Sequence, residues 1–70
     1  MNIAEVTERV WDYCRASGLM MKRESFDAAV PDVLLTNDSM KIALAIMTRG
    51  TYNGKTLAQV EGDVAALIAA

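Results

Sequence analysis

Two parts of this chain carry residue types that do chemistry in other settings. Gly50-Thr51-Tyr52-Asn53-Gly54-Lys55-Thr56 runs two glycines, a lysine and a hydroxyl into a helix-like segment, which looks like a phosphate-binding P-loop. A working loop has four residues between its glycines, so that successive N–H groups wrap a phosphate, and here there are three. It also follows a strand of a parallel sheet, and 70 residues do not build a nucleotide-binding domain around it. The stretch reads instead as a helix end, a turn and a capped helix start.

The second candidate is Cys14, the one cysteine in a chain without histidine. It lies in an apolar stripe, where a buried thiol stays protonated and inert. Asp32, Asp38, Glu61 and Asp63 are scattered, show no calcium-loop spacing and suggest no acid and base pair. With no histidine and a core too small to enclose a pocket, the expected role is non-enzymatic. No catalytic residue, cofactor or metal ligand is assigned.

Residues suited to contact rather than chemistry are easier to find. Trp11 falls about 110° from the centre of its helix's apolar stripe, beside Arg15, and tryptophan next to arginine is a composition of binding hot spots. Met20 and Met21 follow the same helix and add adaptable apolar surface. Trp11, Arg15, Met20 and Met21 are therefore the expected partner-binding residues. Ala58, Gly62, Ala65 and Ala69 share one face of the last helix, and Gly62 costs about 1 kcal/mol there relative to alanine. Small residues let backbones come together, which makes this the expected self-association face.

The totals set the frame. A 70-residue chain is one domain, and at this size only roughly 60% of the unfolded surface is buried on folding. One cysteine makes no internal disulfide, so help must come from packing or self-association, and a homodimer is expected. Hydrophobic residues make up 53% and charged residues 23%, which excludes disorder. Seven Lys and Arg against nine Asp and Glu give a net charge of -2, a poor footprint for nucleic acid. Glu5, Glu8 and Arg9 interrupt any secretory signal, and the longest apolar run, 42–47, falls far short of the roughly 20 residues of a membrane span. A free cysteine fits a reducing, cytoplasmic setting.

These residues need elements to position them, and the periodicity supplies helices. Asn2 and Glu5 have capping-box spacing, with Met1 and Val6 placed to staple the first turn. Ile3, Val6, Val10, Tyr13 and Cys14 then form the stripe of a helix over 3–17, stopped by Gly18 and Leu19. Lys22 and Arg23, the one adjacent basic pair, open a short helix over 23–29 that carries Phe26 and Ala29 inward. The residue before Pro31 is biased out of helical geometry, and Pro31 starts an extra turn over 31–35, docking Val33, Leu34 and Leu35 under the next helix. Asp38 caps the central helix, 38–49, whose Met40, Ile42, Ala43, Leu44, Ile46 and Met47 leave only Lys41, Thr48 and Arg49 polar. A strand over 41–48 leading to a hairpin at Asn53-Gly54 is the alternative. Thr56 and Gln59 cap the last helix, 56–69.

The sequence therefore predicts an all-α bundle of about four helices with the third at its centre and the first and last packed across it. The expected function is a non-catalytic protein-interaction module, such as an inhibitor, adaptor or regulatory subunit that occupies a surface of another protein. The competing reading is a helix-turn-helix DNA-binding regulator, whose reading helix would be the last one or the segment from Arg23 to Ala29.

Overall fold

The computed structural model describes residues 2–70. Helix α1 spans Ile3–Ala16, and the Asn2 Oδ1 accepts from the Glu5 N–H at 2.9 Å. The staple between Met1 and Val6 lies outside the described residues. The chain leaves α1 through Gly18, at φ 79°, with the Gly18 N–H donating to the Arg15 carbonyl at 3.1 Å and the Leu19 N–H to the Cys14 carbonyl at 2.9 Å. This paired bonding is the Schellman ending, and glycine alone enters its left-handed position without a Cβ penalty.

Helix α2 spans Arg23–Leu34 without interruption, so the expected break before Pro31 and the separate turn over 31–35 are both corrected. Pro31 removes one N–H and takes a donor from the Asp27 carbonyl, but Asp27 is exposed and water can serve it. What holds the helix across the proline is packing. Phe26, Val30 and Leu34 recur every fourth residue and all three are buried, so a break at Val30 would expose two of them. Leu35 is corrected too: it caps α2 from outside and is 71% exposed.

Asn37 carries the turn at φ 56°, a conformation its short amide tolerates, and Asp38 then caps α3 by accepting from the Met40 and Lys41 N–H groups at 3.1 and 3.3 Å. Helix α3 spans Ser39–Arg49, which disposes of the strand alternative for 41–48. Helix α4 spans Leu57–Ala69 and starts in a full capping box, Gln59 N–H to Thr56 Oγ1 and Thr56 N–H to Gln59 Oε1. Extended pairing among the described residues is limited to one antiparallel bridge between Met20 and Thr51.

The helices close into a ring. α3 packs against α2 and α4, and α1 also packs against α2 and α4, so the α1 and α3 backbones stand on opposite sides instead of crossing. Between them lie Val10, Cys14, Phe26, Val30, Leu34, Ile42, Ala43, Ile46, Val60 and Val64, all buried. Thr7, one turn before Trp11, is buried as well. Its hydroxyl donates to the Ile3 carbonyl at 2.7 Å, which satisfies it locally, while Ile3 of the expected stripe is left partly exposed. The Cα radius of gyration is 10.5 Å, against about 11 Å for a compact chain of this length. Among the described residues no helix is long and apolar enough to cross a membrane.

Candidate functional site

The expected contact residues fall in different surroundings. Trp11 is half-buried, because its ring meets Phe26 of α2 at a centroid distance of 5.0 Å and a tilt of 56°, a favourable edge-and-face arrangement. Arg23 lies over both rings, 5.3 Å from Trp11 and 5.5 Å from Phe26. The same guanidinium bonds Glu8 of α1 and Asp27 of α2, at 2.8 Å to the latter. Hydrogen bonding to the Glu8 and Asp27 carboxylates raises the Arg23 pKa further, and Arg23 holds the Glu8 carboxyl below its usual range. Arg23, expected at the start of a helix, is thus the clasp between α1 and α2, and the Trp11 ring is part of that clasp. Arg15 is exposed one turn beyond it. Met20 is 79% exposed and Met21 half-buried; both sit at the α3–α4 connection, Met20 bonded to the Thr51 carbonyl at 3.2 Å and Met21 beside Gly50.

The small-residue face of α4 is bare. Ala58, Gly62, Ala65 and Ala69 are all exposed, and no atom stands within 4 Å of where a Cβ on Gly62 would be. Nothing among the described residues makes use of that glycine.

The polar cluster at the other end of α1 is structural. The Tyr13 hydroxyl donates to Asp63 Oδ2 at 2.7 Å, and Lys55 Nζ donates to the same oxygen at 2.8 Å while standing 5.3 Å from the Tyr13 ring. These donors hold the Asp63 carboxyl below its usual range, and burial, aided by Asp63, pushes the Tyr13 hydroxyl up. The Lys55 of the loop that resembles a phosphate binder is therefore engaged by a carboxylate, and Thr56 caps α4. Tyr52 donates to Cys14 Sγ at 3.0 Å; burial raises both pKa values, which keeps the thiol protonated. No group of three possible metal ligands occurs among the described residues.

A feature that no single residue announces is a trough of about 610 Å³ between α2 and α3, open along its length. Ala28, Ala29, Asp32 and Val33 of α2, with Thr36 of the turn that follows, form one wall; Lys41, Leu44, Ala45, Thr48 and Arg49 form the α3 wall. Both walls follow helical spacing, residues three and four apart stacking along each ridge. Three alanines keep the trough wide, because their methyls stop short of one another. Leu44, 53% exposed, stands at its side, with Met40, 44% exposed, one turn earlier on the same ridge. The walls differ in charge. The segment Ser39–Arg49 contains Lys41 and Arg49 and no carboxylate, whereas α2 contributes Glu24, Asp27 and Asp32 and its one base, Arg23, turns to Glu8. Lys41, Arg49 and Asp32 form no ion pair among the described residues.

A signal for the trough was present in the sequence. Leu44 and Met40 belong to the wide apolar arc of the third helix, and a helix with neighbours on two sides cannot cover such an arc. Comparison with known proteins adds nothing to this geometry: no family model, no curated protein and no solved structure matches the chain.

Proposed function

We propose that this chain is a non-catalytic protein-interaction module that works by occupying a surface of a partner protein, and that it does so through the trough between α2 and α3. The observation that carries this reading is the coincidence of an open, alanine-lined trough with a half-exposed leucine on its wall, in a molecule whose core is already closed. An apolar depression beside an apolar ridge offers both halves of a packed contact, a hole and a knob. Trp11 contributes less to such a contact, since its ring already has cover from Phe26 and Arg23.

The test uses two variants that leave the core alone. Leu44→Glu places a charge on the ridge, and Ala28→Tyr fills the trough from the other wall. Proteins retained from host lysate by the native chain, and lost with both variants while circular dichroism shows intact helices, support the proposal. A retained set that neither variant alters overturns it.

One observation favours the second reading, a DNA-binding regulator. Residues 35–38 join α2 to α3 as a four-residue turn, and α3 lacks carboxylates, which is the plan of a helix-turn-helix pair with α3 as reader. Against it, Asp32 stands on the α2 wall beside that helix and would face phosphates. Salt-dependent retention on a DNA column, lost in Lys41→Glu with Arg49→Glu, would favour the regulator; flow-through at low salt would favour the protein binder.

A further inference from the structure

We infer that the trough takes an amphipathic helix of another protein, seated with large aliphatic side chains on the alanines and with carboxylates along the flank that faces α3. This rests on the proposal that the trough is the binding surface and names what binds there. The walls are helices, so a third helix can lay its side chains between their ridges, whereas the trough offers no strand edge on which an extended peptide could pair. The alanine-lined space calls for long side chains from the occupant, because small ones would leave it unfilled. Charge then sets the orientation. Lys41 and Arg49 are eight residues apart on α3, about 12 Å along its axis, so matching carboxylates on the occupant lie seven or eight residues apart. Asp32 on the opposite wall favours a basic or neutral residue on the other flank.

A second copy of the chain does not meet this description. The outward face of α4 is Ala58, Gly62, Ala65 and Ala69, with nothing large enough to fill the trough, and the outward face of α1 carries Glu5, Glu8, Arg9 and Asp12. The α3 ridge of a second copy has Met40 and Leu44 to offer, but it brings Lys41 and Arg49 and no carboxylate against the same two cations. The occupant is a different molecule.

The probe is a displayed library of helical peptides of about five turns, selected on the immobilised full chain and sequenced. Peptides enriched on the native protein are expected to carry a leucine-type stripe with Asp or Glu at a seven- or eight-residue spacing on one flank. Their affinity is expected to fall on the order of tenfold in Lys41→Glu with Arg49→Glu, and to recover when the peptide carboxylates are changed to lysine. Enriched peptides that depend on Leu44 but show no acidic flank and no response to the charge reversal would overturn the inference and leave the trough as a binding surface. No enrichment that Leu44→Glu abolishes would overturn both. Light scattering that gives a dimer mass for the native chain and a monomer for Leu44→Glu would assign the trough to a second copy and overturn the inference as well.

Discussion

Two glycine-to-alanine substitutions should move stability in opposite directions, and the reason is visible in what surrounds each glycine. Gly62 lies in the interior of α4 with open space where its Cβ would be, so alanine there meets no obstacle and gains about 1 kcal/mol of helix propensity. In a domain of this size that is a rise in Tm of about 4–8 °C. Gly50 lies just past α3 at φ -151°, an extended backbone that any residue adopts, so no conformational penalty attaches to replacing it. Its obstacle is steric. A Cβ at Gly50 would overlap Leu19 Cδ1, a side-chain end that can rotate aside at some cost to its packing on the core, and would stand 3.1 Å from Met21 Cβ, which can give only with the backbone. Overpacking of this kind costs about 1–3 kcal/mol, so the two variants should differ by about 2–4 kcal/mol. Urea denaturation at two protein concentrations measures it. Adding Leu19→Ala to Gly50→Ala should cost less than the two single changes summed, since the shortened side chain removes the overlap. Gly50→Ala as stable as the native chain would refute the close approach. A loss of stability in Gly62→Ala that shrinks on dilution, as the native chain loses its own partner, would show that the bare face of α4 is covered by another copy.

Pro31→Ala should stabilise the chain by about 1–3 kcal/mol, because it restores a donor inside a continuous helix; a fall in the urea midpoint would show that the proline ring itself contributes packing. Asp63→Asn should flatten the acid limb of stability. A carboxylate whose folded pKa is lowered by Lys55 and Tyr13 contributes stability that is present above its unfolded value of about 4 and fades as pH falls through the lower folded value, so native and variant curves should converge in that range. Cys14 should resist alkylation at pH 8 until denaturant unfolds the chain, as burial raises its pKa; labelling at the rate of a free thiol in native buffer would contradict its place in the core. Phe26→Ala should cost about 3–5 kcal/mol and red-shift Trp11 fluorescence, since the indole loses its aromatic neighbour; an unchanged spectrum would argue against that contact.

Much of the fold was legible because its signals are local. Asn2, Gly18, Asp38 and Thr56 act within a few residues of themselves, and each ends or begins a helix where its chemistry placed it. Pro31 misled for the opposite reason. Its local bias is real, but Phe26, Val30 and Leu34 are held from outside α2 by the rest of the core, and no inspection of 23–35 alone reveals that hold. Arg23 shows the same limit from the polar side: beside Lys22 it reads as a solvated charge, and only the approach of α1 brings Glu8 and Trp11 to it. The trough was the least legible feature. Its walls belong to two helices, and alanines such as Ala28 and Ala45 carry no signal until the spacing between those helices is known.

The ring arrangement sharpens what the exposed side of α3 means. Each helix in such a ring has one side turned to water, and α1 fills that side with Glu5, Glu8, Arg9 and Asp12, α2 with Glu24, Asp27 and Asp32. The third helix occupies an equivalent position and fills it with Met40 and Leu44 between Lys41 and Arg49. Topology does not impose this, because the core closes with Ile42, Ala43 and Ile46, and the outward positions would accept polar residues as readily as they do on α1. A single exposed leucine is ordinary on a protein surface. Leu44 differs in standing next to another apolar residue, beside an unfilled trough, between two cations that find no carboxylate on their own helix. Folding needs none of these three features, and a bound helix would use all of them.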